Sequence, residues 1–245
     1  MLLKERRQIK SKPWGEYQLY TLSNDNGIQV DISNLGATIV NLYVKDKVGD
    51  IKNIVLGYDS PQEYLDGDVF LGSVVGPWAN RIAQGKFELN GEQIVVDQNE
   101  GRNHLHGGSC AIHKKKWVLE AVSATSVTLR TNIAYLEGGF PANMEIYVSY
   151  TLNNDNELMV DYLANVDRDT PVNLTQHTYF NLNGGGDVLD HSLTINAEKY
   201  FVTDDFSIPV DKCAVENTVM DFRKPKKLRK DVLAQPRELA IIKGL

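Results

Sequence analysis

Met144-Glu145-Ile146-Tyr147-Val148-Ser149-Tyr150-Thr151-Leu152, followed by Asn153-Asn154-Asp155-Asn156-Glu157 and then Leu158 to Asn165, is the stretch whose reading decides the fold. Two β-rich runs flank five residues whose side chains favour turns, so the segment reads as a strand pair. The pattern repeats on either side of it. Trp117 to Val122 and Ser126 to Ile133 form a second pair across Ser123-Ala124-Thr125. Phe87 to Val96 forms a third, because Asn90-Gly91 supplies the positive φ angles of a two-residue type I′ turn. Tyr17 to Leu22 and Ile28 to Ile32 alternate in the same way. Turn signals recur at short intervals and helical periodicity is scarce, the best helical candidate being Lys226 to Leu233. The expectation is an all-β protein built as a large antiparallel β-sandwich or a barrel. No internal repeat, low-complexity tract or Pro/Gly-rich linker interrupts it, so residues 1–245 read as one domain.

Composition limits what such a domain does. Lys and Arg number 26 against 32 Asp and Glu, and the net charge of −6 argues against a nucleic-acid partner, which needs basic excess. One basic run, Arg223 to Lys230, reads as an anion patch or as a solvated face, and the second reading is preferred. Cys110 and Cys213 form no CxxC pair and no disulfide framework, which suits a reducing compartment. The N-terminal Met1-Leu2-Leu3-Lys4-Glu5-Arg6-Arg7 lacks the apolar region of a signal peptide. Nor does any stretch reach the ~18 apolar residues of a membrane span. A cytoplasmic protein with no membrane partner is expected.

Three segments carry candidate chemistry. Gly76-Pro77-Trp78-Ala79-Asn80-Arg81-Ile82-Ala83 sets an amide beside a guanidinium, a pairing suited to the hydroxyls of a polyol or to a carboxylate, and equally to ordinary surface chemistry. Asn103-His104-Leu105-His106-Gly107-Gly108 places His104 and His106 on one face if extended, which raises a metal reading, with His113 and Cys110 nearby. No acid follows at the spacing a zinc or iron site requires, so no metal and no metal ligands are expected. Pro171 to Leu182 puts Asn173, Thr175, His177, Tyr179 and Asn181 on one face. Imidazole, phenol and amide together suit a sugar, and the same face suits a strand that meets solvent. A nucleophile elbow, a GxGxxG loop and a Walker loop are all missing, so no nucleotide cofactor is implied.

Taken together, Gly76 to Ile82, Asn103 to Gly108 and Gln176-His177-Thr178-Tyr179-Phe180-Asn181-Leu182 resemble the aldose 1-epimerase (galactose mutarotase) family. Trp117, Gly138-Gly139-Phe140-Pro141 and Met220-Asp221-Phe222-Arg223 resemble the family's intervening sequence, in order, across nearly the whole chain. The resemblance implies a galactose mutarotase-like supersandwich, a sugar groove and no cofactor. It implies an isomerase of carbohydrate metabolism that interconverts α and β anomers of free aldohexoses such as galactose and glucose. A base takes the C1 hydroxyl proton while an acid protonates the ring oxygen, and the opened hemiacetal recloses as the other anomer. By resemblance His177 is the general acid and His106 the second active-site histidine. Asn80 and Arg81 match the pair that grips hydroxyls, and Tyr179 is a further substrate contact.

The resemblance is incomplete in two respects. Pro77 and Trp78 stand where relatives often carry Arg and Val or Tyr. The family's general base is a glutamate near its C-terminus, preceded by a substrate-binding aspartate, and neither has a match in residues 1–245. The aspartate typically follows a segment like Ile242-Lys243-Gly244-Leu245, so the expectation is a sandwich truncated at its C-terminus. Two alternatives follow: a carbohydrate-binding module without turnover, and a hexose 6-phosphate epimerase drawing on the basic run. The expected partner is a small-molecule sugar, and the protein a monomer or homodimer.

Overall fold

Strands whose side chains alternate between core and solvent account for most of the architecture. The computed structural model describes residues 9–229. The chain forms two compact units, Met1–Phe180 and Asn181–Leu245. The first unit begins with β1 (Lys10–Trp14), β2 (Tyr17–Ser23), β3 (Gln29–Ser33), β4 (Thr38–Lys45) and β5 (Ile51–Asn53), an antiparallel sheet in sequence order. Short strands follow: β6 (Val74–Val75), β7 (Arg81–Ile82), β8 (Lys86–Leu89), β9 (Glu92–Val95) and β10 (His104–Leu105). Then come β11 (Val118–Val122), β12 (Ser126–Ile133), β13 (Met144–Leu152), β14 (Leu158–Val166) and β15 (Thr175–Gln176), of which β11 to β14 form a four-stranded antiparallel sheet.

The segment that decided the sequence reading is the centre of that sheet. Met144, Ile146, Val148, Tyr150 and Leu152 of β13 are all buried, while the residues between them are not. Its nine residues pair one for one with β14, from Met144 opposite Val166 to Leu152 opposite Leu158. Val127, Leu129 and Ile133 of β12 join the same core, as do Tyr20, Leu22, Val30 and Ile32 from the first sheet. Two antiparallel sheets thus share one core, the expected sandwich. The β8–β9 hairpin turns at Asn90 and Gly91, both at positive φ.

One helix was not foreseen. Pro61–Asp66 is a short α1, started by Ser60, whose hydroxyl accepts from the Glu63 N–H while Glu63 accepts from the Ser60 N–H. It buries Tyr64 against Trp14 and Tyr58, edge to face.

The second unit holds β16 (Ser192–Leu193), β17 (Lys199–Thr203), β18 (Pro209–Ala214) and β19 (Lys226–Lys227), paired β16 with β19 and β17 with β18. Phe222 and Leu228 are its buried centre. Of the helical candidate Lys226–Leu233, Lys226–Lys227 is strand and residues 228 and 229 are helical, whereas 230–233 lie outside the described residues, as does the 242–245 segment. Much of the basic run has local acidic or carbonyl partners: Arg223 pairs with Asp221, Arg229 and Lys227 with Asp190, and Lys226 donates to the Val219 carbonyl. Among the described residues no helix is long and apolar enough to cross a membrane.

Candidate active site

Backbone pairing brings the three sequence segments together. β7 lies antiparallel to β10, with Arg81 opposite Leu105 and Ile82 opposite His104. β15 pairs with β6, with Thr175 opposite Val75 and Gln176 opposite Val74. Asn173 then stitches the third segment to the first: its N–H donates to the Pro77 carbonyl at 2.7 Å and its carbonyl accepts from the Ala79 N–H at 2.7 Å.

His106 leaves β10 in the left-handed region, at φ 51°, and Gly107 follows at φ 90°. Glycine is required there, because a Cβ on Gly107 would overlap the Gly76 carbonyl. The left-handed step breaks the alternation expected of His104-Leu105-His106, and the two imidazoles part company. His104 is buried in the core, its Nδ1 against the Asp97 carbonyl at 2.9 Å and its ring edge-on to Phe140. The shared face expected for His104 and His106 is therefore corrected. His106 instead accepts a hydrogen bond at Nδ1 from the Asn80 N–H, 3.0 Å, while its own N–H donates to the Asn80 carbonyl. An acceptor at Nδ1 puts the proton of the neutral ring on Nε2.

The other expected residues gather around it. The His106 and His177 rings stand 5.2 Å apart and nearly perpendicular. Tyr179 lies beside His177, with ring centroids 5.1 Å apart. Asn80, at φ 69°, accepts through Oδ1 from the Arg81 N–H, and Arg81 makes a two-pronged ion pair with Glu100 at 2.6 and 2.5 Å. Of the other polar-face residues, Asn181 is buried and its amide donates to the Gly186 carbonyl, closing a local turn. On the opposite side of the third segment, Gln176 donates to the Tyr150 hydroxyl at 2.9 Å, and that hydroxyl donates to the Ala37 carbonyl at 2.5 Å.

Three participants were not read as site residues in the sequence. Glu100 anchors Arg81. Phe70 touches three imidazoles, His106 and His113 with centroids at 4.7 Å and His177 at 5.7 Å. His113 itself, noted only as a metal candidate, completes the cluster. Nothing in the local sequence around Phe70 marks it, since its neighbours come from segments more than thirty residues away.

Burial controls the electrostatics. It pushes His106 down to about 3, helped by the positive potential of His177, His113 and Arg81. It pushes His113 down to about 4, with Lys114 and His177 adding to the effect. His177 is also lowered by burial. Tyr179 is raised for the same reason and stays a phenol. Neutral imidazoles beside an amide–guanidinium pair can accept, donate and relay protons to a polyol bound between them. The buried Cys110 thiol is pushed up to about 12, which removes it as a nucleophile.

Comparison with known proteins shows the family to which the chain is similar. The family model described as aldose 1-epimerase matches residues 18–243. The chain is 39% identical over 234 residues to an aldose 1-epimerase of Haemophilus influenzae, covering 94% of this chain and 68% of the relative. It is 39% identical over 219 residues to the galactose mutarotase of Bos taurus, covering 88% of this chain and 63% of that one. The crystal structure of a galactose 1-epimerase from Lactobacillus acidophilus superposes with a TM-score of 0.84 at 28% identity, over 97% of this chain and 71% of that chain. The chain thus spans roughly two thirds of the length of its relatives.

Proposed function

The chain belongs to the aldose 1-epimerase family, whose named members are isomerases, and on that premise we propose that it interconverts the α and β anomers of free aldohexoses such as galactose or glucose. His177 is the general acid that protonates the ring oxygen. His106 bonds near that oxygen through its Nε2–H and fixes the pyranose. Asn80 and Arg81 grip hydroxyls, and Tyr179 packs against the sugar. A base must take the C1 hydroxyl proton as the ring opens and return it at reclosure, a role for which the family's glutamate has no match in residues 1–245. Rotation about C1–C2 in the opened aldehyde and reclosure by the reverse proton transfers complete the exchange. The chemistry requires only proton transfer, so no cofactor enters the reading.

The observation that carries this reading is the His106–His177 pair, 5.2 Å apart and edge-on, with the Asn80–Arg81 pair bonded to one of its members. Burial lowers the His177 pKa, which makes its imidazolium a stronger and scarcer acid. The test is polarimetry of freshly dissolved α-galactose with the full chain. Acceleration is expected, and His177→Ala should lose about 10²–10⁴-fold, the usual contribution of one positioned proton-transfer group. Turnover that survives His177→Ala would sink the mechanism.

A second reading, a sugar-binding module without turnover, draws on one observation: Glu100, the carboxylate bonded to this site, is held by both prongs of Arg81, so both of its oxygens are already engaged. Galactose binding by calorimetry with no change in the polarimetric trace would favour it. For a hexose 6-phosphate epimerase the basic run has little to spare, since Arg223 and Arg229 pair with Asp221 and Asp190. Stronger competition by glucose 6-phosphate than by galactose would revive it.

A further inference from the structure

Phe70 sits where no catalytic role demands an aromatic residue, in a conformation that aromatic residues rarely take. Its φ is 56°, inside the left-handed region that disfavours any side chain bulkier than Asn or Gly. The turn that holds it there is tied directly to the candidate acid. The Phe70 carbonyl accepts from the Ser73 N–H, the His177 N–H donates to the Ser73 carbonyl, and the Gly72 N–H donates to the His177 carbonyl. Ile39 N–H in turn donates to the Gly72 carbonyl, so the turn is braced against the first sheet as well. One four-residue turn therefore sets the Phe70 ring and the His177 backbone together.

The ring is the common neighbour of all three imidazoles. His106 and His113 each meet it edge-on at 4.7 Å, and His177 lies tilted against it at 5.7 Å. His113 has a buried Nδ1 without a hydrogen-bond partner among the described residues, so packing on Phe70 is its visible restraint. Charged and titratable groups around the cluster are Arg81, which is paired with Glu100, Lys114, which donates to the Leu65 carbonyl, His104 behind His106, and Tyr179.

We propose that Phe70 is a positioning residue for the His106–His177 pair, a hydrocarbon wedge that fixes the angle between the rings and keeps water from between them, with His113 as its buttress. This rests on the reading of His177 as the general acid and His106 as the residue that fixes the pyranose. A flat ring does this better than an aliphatic chain, because it presents one face and one edge at fixed spacing to neighbours on several sides. Phe70 is only half-buried, so a simple role in filling the core is a poor account of a strained backbone.

The test uses the full chain with ¹⁵N-imidazole NMR titration and anomerisation kinetics side by side. Phe70→Leu is expected to keep the fold and to lower kcat about tenfold to a hundredfold, the scale of a reacting group misplaced by about 1 Å. KM should change less than kcat, because Phe70 itself makes no sugar contact in this reading and acts on binding only through His106. The His106 and His113 titrations should climb from about 3 and about 4 toward the ordinary imidazole value as water enters. Phe70→Tyr, which keeps the ring, should restore both readouts. Should Phe70→Leu fail to fold, Phe70→Met, flexible and of similar volume but without a flat face, takes its place with the same expectations. Imidazole titrations that match wild type in a folded Leu or Met variant would overturn the proposal, as would a loss confined to KM. If wild-type protein does not anomerise sugar, the functional reading falls alone, and the titrations still decide the role of Phe70.

Discussion

The four-stranded sheet and the imidazole cluster are built by opposite means. β12, β13 and β14 run eight or nine residues each in unbroken register, and their order comes from side chains that alternate into a shared core. The cluster hangs on two-residue strands, on left-handed residues at Phe70, Asn80 and His106, and on backbone groups bonded across segments. Sheet geometry is over-determined by many equivalent contacts. Site geometry depends on a few, each with a single partner. Perturbations in the sheet should therefore appear as lost stability, and perturbations in the cluster as lost function in a molecule that still folds.

The sharpest contrast is available at Ile146. It is wholly buried at the centre of β13, opposite Thr131 on one side and Ala164 on the other. Ile146→Ala should cost about 2–5 kcal/mol by urea denaturation, transfer and cavity terms together. Polarimetric activity per folded molecule should stay near wild type. A cost below about 1 kcal/mol would mean that the sheet interior repacks freely, and the contrast would dissolve.

Protonation tests the cluster without a mutation. His106 and His113 have folded pKa values of about 3 and about 4, below the ordinary 6.5 of the unfolded chain. Between those limits the unfolded chain binds more protons, so stability is fully present above pH 6.5 and declines as pH falls toward 4. A group refused its proton entirely would give a slope of about 1.4 kcal/mol per pH unit. Both rings keep some solvent contact, so less than that is expected of each. Urea midpoints between pH 7 and 5, above the range where carboxylates take up protons, should fall with pH. A flat or rising profile there would show that the imidazoles are not held neutral by burial.

The same contrast governs what could be read in advance. The strand pairs at 118–133 and 144–166 were legible almost to the residue, because alternation and turn residues are local signals. Asn80, Arg81, His106, His177 and Tyr179 were legible through the family resemblance, and the structure gathers them. The parting of His104 from His106 was not, because a single left-handed residue overrides period-two alternation; Gly107-Gly108 was the available hint. Phe70 and Glu100 escaped because their roles exist only across chain separations that no local pattern encodes. The helix Pro61–Asp66 escaped for a different reason. Six residues are too few for periodicity, although Ser60 and Glu63 spell a capping box.

Tyr150 joins the two regions and offers the most delicate test. Its ring belongs to the β13 core, while its hydroxyl donates to Ala37 and accepts from Gln176, the residue before His177. Burial holds this phenol well above its ordinary pKa, so it is a permanent neutral donor. Tyr150→Phe preserves the packed ring and deletes only the oxygen, leaving the Ala37 carbonyl and the Gln176 amide to find other partners. The stability cost should be about 1–3 kcal/mol, the price of stranding buried polar groups. If the regions are coupled through this hydroxyl, kcat should also fall by a few-fold with KM unchanged, because Gln176 no longer anchors the short strand that leads into His177. A stability loss with kcat untouched would mean that the Ser73 and Gly72 backbone bonds alone hold His177, and that sheet and site are independent.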